Sequence, residues 1–157
     1  MNLFGVMEIS GSALKAERIR AEVVAANMAN AETTRTADGT PYRRQHVVFS
    51  AANGGAEDFA GQLFSAARFA SGGTVAADST PPGGVSVTAV VADPASTVRR
   101  YDPQHPDADE DGYVAYPDIN PLTEMVDLMG ATRAYGLNSS AVQATKGMIA
   151  ASLDILK

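Results

Sequence analysis

Two stretches of the chain place apolar or small residues at alternating steps of three and four. In the first, Ile9, Ser12, Ala16, Ile19, Val23, Ala26 and Asn30 make the seam of a heptad helix between Gly5 and Ala31. Lys15, Glu17, Arg18 and Glu22 fall on the other side. At about 1.5 Å per residue this arm is about 40 Å long, and it stops where Thr33, Thr34, Thr36, Asp38 and Gly39 gather β-branched and turn residues. After Asn120-Pro121 the pattern returns: Met125, Leu128, Thr132, Tyr135, Ser139, Val142, Lys146, Ile149, Leu153 and Leu156 predict a helix over Leu122 to Leu156 with no proline inside it. Both arms hold further small or apolar residues off the seam, Ala21, Ala25 and Ala29 on one, Ala134, Ala141, Met148 and Ile155 on the other. Each arm therefore has more apolar surface than one partner helix can cover.

Between the arms the period shortens to two. Tyr42 to Ser50 and Val85 to Val91 read as strands, with Thr97 to Tyr101 and Tyr113 to Tyr116 as shorter ones. Ala51 to Gly84 is rich in Ala, Gly and Ser, broken by Gly54-Gly55, Gly72-Gly73 and Pro81-Pro82-Gly83-Gly84 around a possible short helix near 59–69. The expected fold class is α+β: long N- and C-terminal helices pair as an antiparallel coiled coil, with a small β unit between them. The domains expected are a helical one from 1–34 and 120–157, and a β domain over 35–119 with a low-complexity insertion at about 51–84.

Composition narrows what such a chain can do. At 157 residues and 45% hydrophobic it can build the core of one ordinary domain, and without Trp its packing relies on small residues. A net charge of −6 disfavours nucleic acid or an anionic membrane as the main partner. With no Cys there are no disulfides, thiolate metal sites or cysteine nucleophiles. Met1 to Ser12 has no basic residue and soon meets Glu8, so no cleavable secretory signal is expected, and no run of eighteen uncharged apolar residues predicts a membrane span.

The run Asn27-Met28-Ala29-Asn30-Ala31-Glu32-Thr33 at the end of the first arm resembles the Asn-hydrophobic-Ala-Asn-x-x-Thr signature of the rod, hook and hook-filament junction proteins of the bacterial flagellum. Physically, Asn30 and Thr33 suit the free groups of a helix end, and Ala29 suits close approach of another helix. Tyr42-Arg43-Arg44, the stretch Tyr101 to Asp109 and the stretch Gly112 to Pro121 are more similar to the C branch of the proximal rod than to hook or distal-rod members. Glu124-Met125-Val126-Asp127 and Arg133-Ala134-Tyr135 are similar to the opening of the family's C-terminal helix. The likeness lapses in Ala51 to Gly84.

That resemblance implies a structural subunit of the basal-body rod, polymerising through its terminal helices into a tube that spans the periplasm, transmits torque and encloses the export channel. It implies copies of itself and other rod proteins as partners, and passage through the flagellar type III export apparatus without a cleavable signal. Periodicity and resemblance together assign the assembly interface to Ile9, Ile19, Val23, Asn27, Ala29, Asn30, Thr33, Glu124, Met125, Leu128, Arg133, Tyr135, Val142, Ile149, Leu153 and Leu156. Glu124 and Arg133 are expected as charge partners there.

Other readings compete. Periodicity alone fits a monomeric module that captures a partner helix, or a hairpin packed once within a monomer or dimer. Asp107, Asp109, Asp111 and Gly112 match the first half of a calcium loop, with Asp118 at the place of its last ligand. Pro103 and Pro106 oppose the incoming helix such a loop needs, so a solvated acidic turn is the plainer reading. His46 and His105 have no partner at motif spacing, and no phosphate-binding loop is present. No enzymatic activity, cofactor or small-molecule substrate is expected.

Overall fold

A computed structural model of the protein describes residues 3–52, 83–94 and 97–155. The order is the expected one, helix, strands, helix: α1 (Leu3–Ala29), β1 (Gln45–Ala52), β2 (Gly84–Ala92), β3 (Thr97–Tyr101), β4 (Tyr113–Pro117) and α2 (Pro121–Asp154). The helix start at 121 follows from local chemistry. Asn120 is extended and its side-chain oxygen accepts from the Leu122 amide at 3.0 Å, Pro121 occupies a first-turn position where no amide is needed, and Glu124 adds negative charge to the first turn. At the end of α1, Asn30 Nδ2 donates to the Ala26 carbonyl at 2.9 Å and the Thr33 hydroxyl reaches Asn30 Oδ1 at 3.2 Å. These two residues close the helix as their types and spacing predict.

Residue pairs across the helices give their direction. Asn27 meets Glu124 while Arg20 meets Asp127, so α1 and α2 run antiparallel. Extending that register puts Leu3 level with the stretch from Ala144 to Met148. The last two turns of α2 therefore have no α1 residue opposite them among the described residues.

The small β unit between the helices consists of two separate two-stranded ribbons. β1 pairs antiparallel with β2, with a shift in register between Val48 and Phe49 that leaves Thr88 unpaired. This bulge keeps Val47, Val90, Phe49 and Val87 on one face. The ribbon packs on α1: the Val85 amide donates to Ser12 Oγ at 3.0 Å, and Ile9 Cδ1 lies 3.8 Å from the position a Cβ would take at Gly83. Ile9 and Ser12, expected in the helix seam, thus face the ribbon. β3 pairs with β4 through a loop that closes at Gly112, whose φ of +77° an L side chain rarely adopts.

Two boundaries differ from expectation. The first strand starts at Gln45 rather than Tyr42, because the Tyr42 amide is used by the Thr33 carbonyl at 3.1 Å in the link from α1. Ala51, Ala52 and Gly84, expected in the low-complexity insertion, belong to strands, and the short helix expected near 59–69 lies outside the described residues. The core is thin. Its buried apolar residues are Ala16, Val24, Val114, Ile119 and Ala131, joined by Ser10, Asn27, Glu124 and Thr145. Small residues let the helices approach closely, and the polar ones need specific partners.

Candidate functional site

The buried polar residues converge where the end of α1, the start of β1 and the start of α2 meet. Glu124, 1% exposed, takes Arg44 Nε on its Oε1 at 2.7 Å, with Arg44 Nη2 on the same oxygen at 2.5 Å. Its Oε2 accepts from Asn27 Nδ2 at 3.2 Å. The Asn27 amide is fully used: Nδ2 also donates to the Gln45 carbonyl, while Oδ1 accepts from the Gln45 amide and the Tyr42 hydroxyl at 2.9 and 3.1 Å. Reversing the amide would put its oxygen against both Glu124 and the Gln45 carbonyl, so the network sets its orientation. Burial, followed by the negative field of Glu124, pushes the Tyr42 phenol above its ordinary pKa. At the edge of this node Arg20 Nη2 reaches Asp127 Oδ1 at 3.2 Å.

Beyond the node, the inward line of α2 runs Glu124, Ala131, Asn138, Thr145, seven apart, beside Leu128, Val142 and Ile149. The expected seam shares Leu128, Val142 and Ile149 with these lines, while its Met125 line lies one residue away from the buried one. Met125 and Leu153 consequently face outward, and Leu153 is 60% exposed. Tyr135 is half-exposed and lines a shallow groove with Leu14, Lys15, Arg18, Ile19 and Glu22. Ile19 and Val23 are partly buried and Ala29 is exposed, while Leu156 lies outside the described residues. Glu124 does not face Arg133: its carboxylate is taken up inside the chain, and Arg133 is exposed on the far side of α2.

That far side is the second feature of the site. Val126, Met129, Arg133, Leu137, Ser140, Ala144, Met148, Ala151 and Ile155 step by three and four along the outside of α2. The positions two residues on from the buried line are about 200° round the helix from it. Val126 is 65% exposed and Leu137 68%, and Leu122, Met129, Met148 and Ile155 are more than half exposed. A helix with large apolar side chains on both faces is suited to burial on both.

The other candidates resolve into structure. Asp107 takes the Thr34 hydroxyl at 2.8 Å and lies 3.5 Å from Arg35, whereas Asp109 pairs with Arg99 at 2.7 Å, so these two carboxylates are engaged by different elements. Among the described residues no group of three or more His, Asp or Glu is arranged to hold a metal ion, and no helix is long and apolar enough to cross a membrane. His46 lies 3.7 Å from Asp93 and His105 lies 3.9 Å from Asp107. Sequence reasoning missed Arg44, Gln45 and Asp127 as partners of the node. Tyr42-Arg43-Arg44 and Glu124 to Asp127 were visible as charged motifs, but nothing local pairs residues eighty positions apart.

Residues 7–35 match the family model described as flagella basal body rod protein, and residues 110–155 match the one described as flagellar basal body rod FlgEFG protein C-terminal. The whole chain is similar to the flagellar basal-body rod protein FlgC of Bacillus subtilis, at 37% identity with 100% of each chain covered. It is 35% identical to the protein of that name in Borreliella burgdorferi, covering 100% of this chain and 99% of the relative, and 33% identical to that of Salmonella typhimurium, covering 99% and 98%.

Proposed function

Because this chain belongs to the flagellar basal-body rod protein family and is a structural component of the rod, we propose that it is a proximal-rod subunit. Copies polymerise through α1 and α2 into a helical tube that transmits torque and encloses the export channel. The observation that carries this reading is the apolar outer stripe of α2, which runs the length of a helix about 51 Å long and is left in water by the single chain. A second support is the end of α2 that projects past α1, where Leu153 and Ile155 have no cover from α1. A lone chain keeps such surface exposed at a cost, and a neighbouring subunit removes it.

The flagellar basal body is where the family places the chain, with other rod components as its associates. In the finer reading, residues 1–34 and 120–157 form the helical wall and 35–119 face outward. The subunit crosses to the periplasm through the flagellar type III apparatus without a cleavable signal, and contacts unlike rod proteins as well as copies of itself. The predicted interface residues divide accordingly. Ile19, Val23, Leu128, Val142 and Ile149 hold the helix pair together, while Met125, Arg133, Leu153 and the outer stripe meet neighbours.

Leu137→Asp and Val126→Asp test this directly. Each side chain is exposed in the free chain, so stability should change by no more than about 0.5 kcal/mol, while an aspartate trapped in an apolar interface costs several kcal/mol per subunit. The expected result is a normally folded, exported protein missing from isolated basal bodies, in cells that do not swim. Normal incorporation of both variants would refute polymerisation through this face.

A further inference from the structure

Large apolar side chains lie on both sides of α2, so their burial alone does not fix the rotation of this helix about its own axis. Facing α1 are Glu124, Ala131, Asn138 and Thr145, with Leu128, Val142 and Ile149 beside them, whereas Val126, Met129, Leu137 and Met148 point away. A half-turn of α2 would bring Val126, Met129, Leu137 and Met148, with Arg133 and Ser140 between them, against α1 and hide them from neighbours. We propose that the Glu124–Arg44–Asn27 node selects the observed rotation, holding the outer stripe of α2 outward; this rests on the polymerisation reading given above.

Three features make the node a selector. It draws on three elements, α1 through Asn27, the start of β1 through Arg44 and Gln45, and α2 through Glu124, so it closes at one rotation and one register only. All four hydrogen-bonding positions of Asn27 are filled, which leaves no alternative partner without breaking a bond already made. Turning α2 away would strip Arg44 of its main carboxylate and leave the buried Asn27 amide one acceptor short, and a buried polar group without a partner is strongly disfavoured. The node thus acts as buried polar residues do in helix bundles, where they choose one arrangement among several of similar apolar content.

The chain has no Cys, so single thiols report the rotation cleanly. Thr145→Cys places one on the buried line and Ser140→Cys one on the outer stripe, both close in size to the residue replaced. With the node intact, maleimide should label position 140 about tenfold or more faster than position 145, since attack needs an exposed thiolate. In the Arg44→Met/Glu124→Leu background, with helix content by circular dichroism unchanged, that ratio should fall towards one. Glu124→Gln, whose amide meets the Asn27 donor, should lower it less, and it decides the matter if the double variant loses helicity. An unchanged ratio in the deciding background, or no difference between the two sites with the node intact, overturns the proposal. The labelling is read on the unassembled chain, so a failure of the rod reading would appear only in the Leu137→Asp and Val126→Asp assays.

Discussion

Removing the two halves of the Arg44–Glu124 pair should have unequal consequences. Arg44→Met leaves the Glu124 carboxylate 1% exposed with only the Asn27 amide to serve it, the situation in which a broken buried pair costs about 3–5 kcal/mol. Glu124→Leu leaves a guanidinium that keeps 27% exposure and already lies 3.8 Å from Asp127 Oδ2, so it can turn to water or to that carboxylate. With leucine filling the vacated volume, the loss should be about 1–2 kcal/mol. The double variant should lie near Glu124→Leu, giving a coupling about as large as the Arg44→Met loss itself, roughly 3–5 kcal/mol in a double-mutant cycle. Urea unfolding followed by circular dichroism at neutral pH measures all four proteins, with the slope checked for constancy. At roughly 2–4 °C per kcal/mol for a chain of this size, Arg44→Met should melt clearly below Glu124→Leu. Equal losses, or a larger one for Glu124→Leu, would refute the reasoning that desolvation of the carboxylate dominates this node.

Val142→Asp, on the inner face of α2 and half-buried, should destabilise the free chain by about 2–4 kcal/mol in the same unfolding assay, in contrast to Leu137→Asp on the outside. Gly112→Ala should cost about 1–3 kcal/mol, because φ there is +77° and a Cβ would stand 3.0 Å from Tyr101 Cε2 and 3.3 Å from Pro103 Cβ. A melting temperature equal to that of the parent would contradict that strain. The folded chain holds the Tyr42 proton more tightly than the unfolded chain does. Its contribution is therefore complete below the ordinary phenol pKa near 10 and drains away as pH rises through and above it. Stability measured across that range should fall less steeply in Tyr42→Phe, and an identical fall would remove Tyr42 as a contributor.

The helix pair of this protein is held by little apolar bulk. Ala16, Ala131, Ser10 and Thr145 are among its most buried members, and large side chains such as Leu137 and Met129 are outside. Close approach through small residues gives good contact but weak discrimination between rotations. In the proposed arrangement a polar node supplies the discrimination, which leaves the exposed stripe available to a neighbouring subunit. In this way the thin core and the apolar exterior are two sides of one arrangement.

Both long helices, all four described strands and the α+β order were legible in the chain itself. Helix and strand impose periods of 3.6 and 2 that survive in any sequence that folds this way, and Asn30, Thr33, Asn120 and Pro121 mark ends by chemistry that acts within one turn. The line Leu128, Val142, Ile149 was legible for the same reason. What periodicity could not decide was the rotation of a helix apolar on every side, which is why the companion line moved from Met125 to Glu124 and Leu153 came to face outward. Nor could it divide the strands into two ribbons, or turn Ile9 and Ser12 towards one of them, since pairing depends on partners that local spacing does not name. The role of Glu124 lay furthest from view. Its cation, Arg44, is eighty residues away along the chain, and only tertiary packing, which removes water from the carboxylate, makes that one pairing decisive.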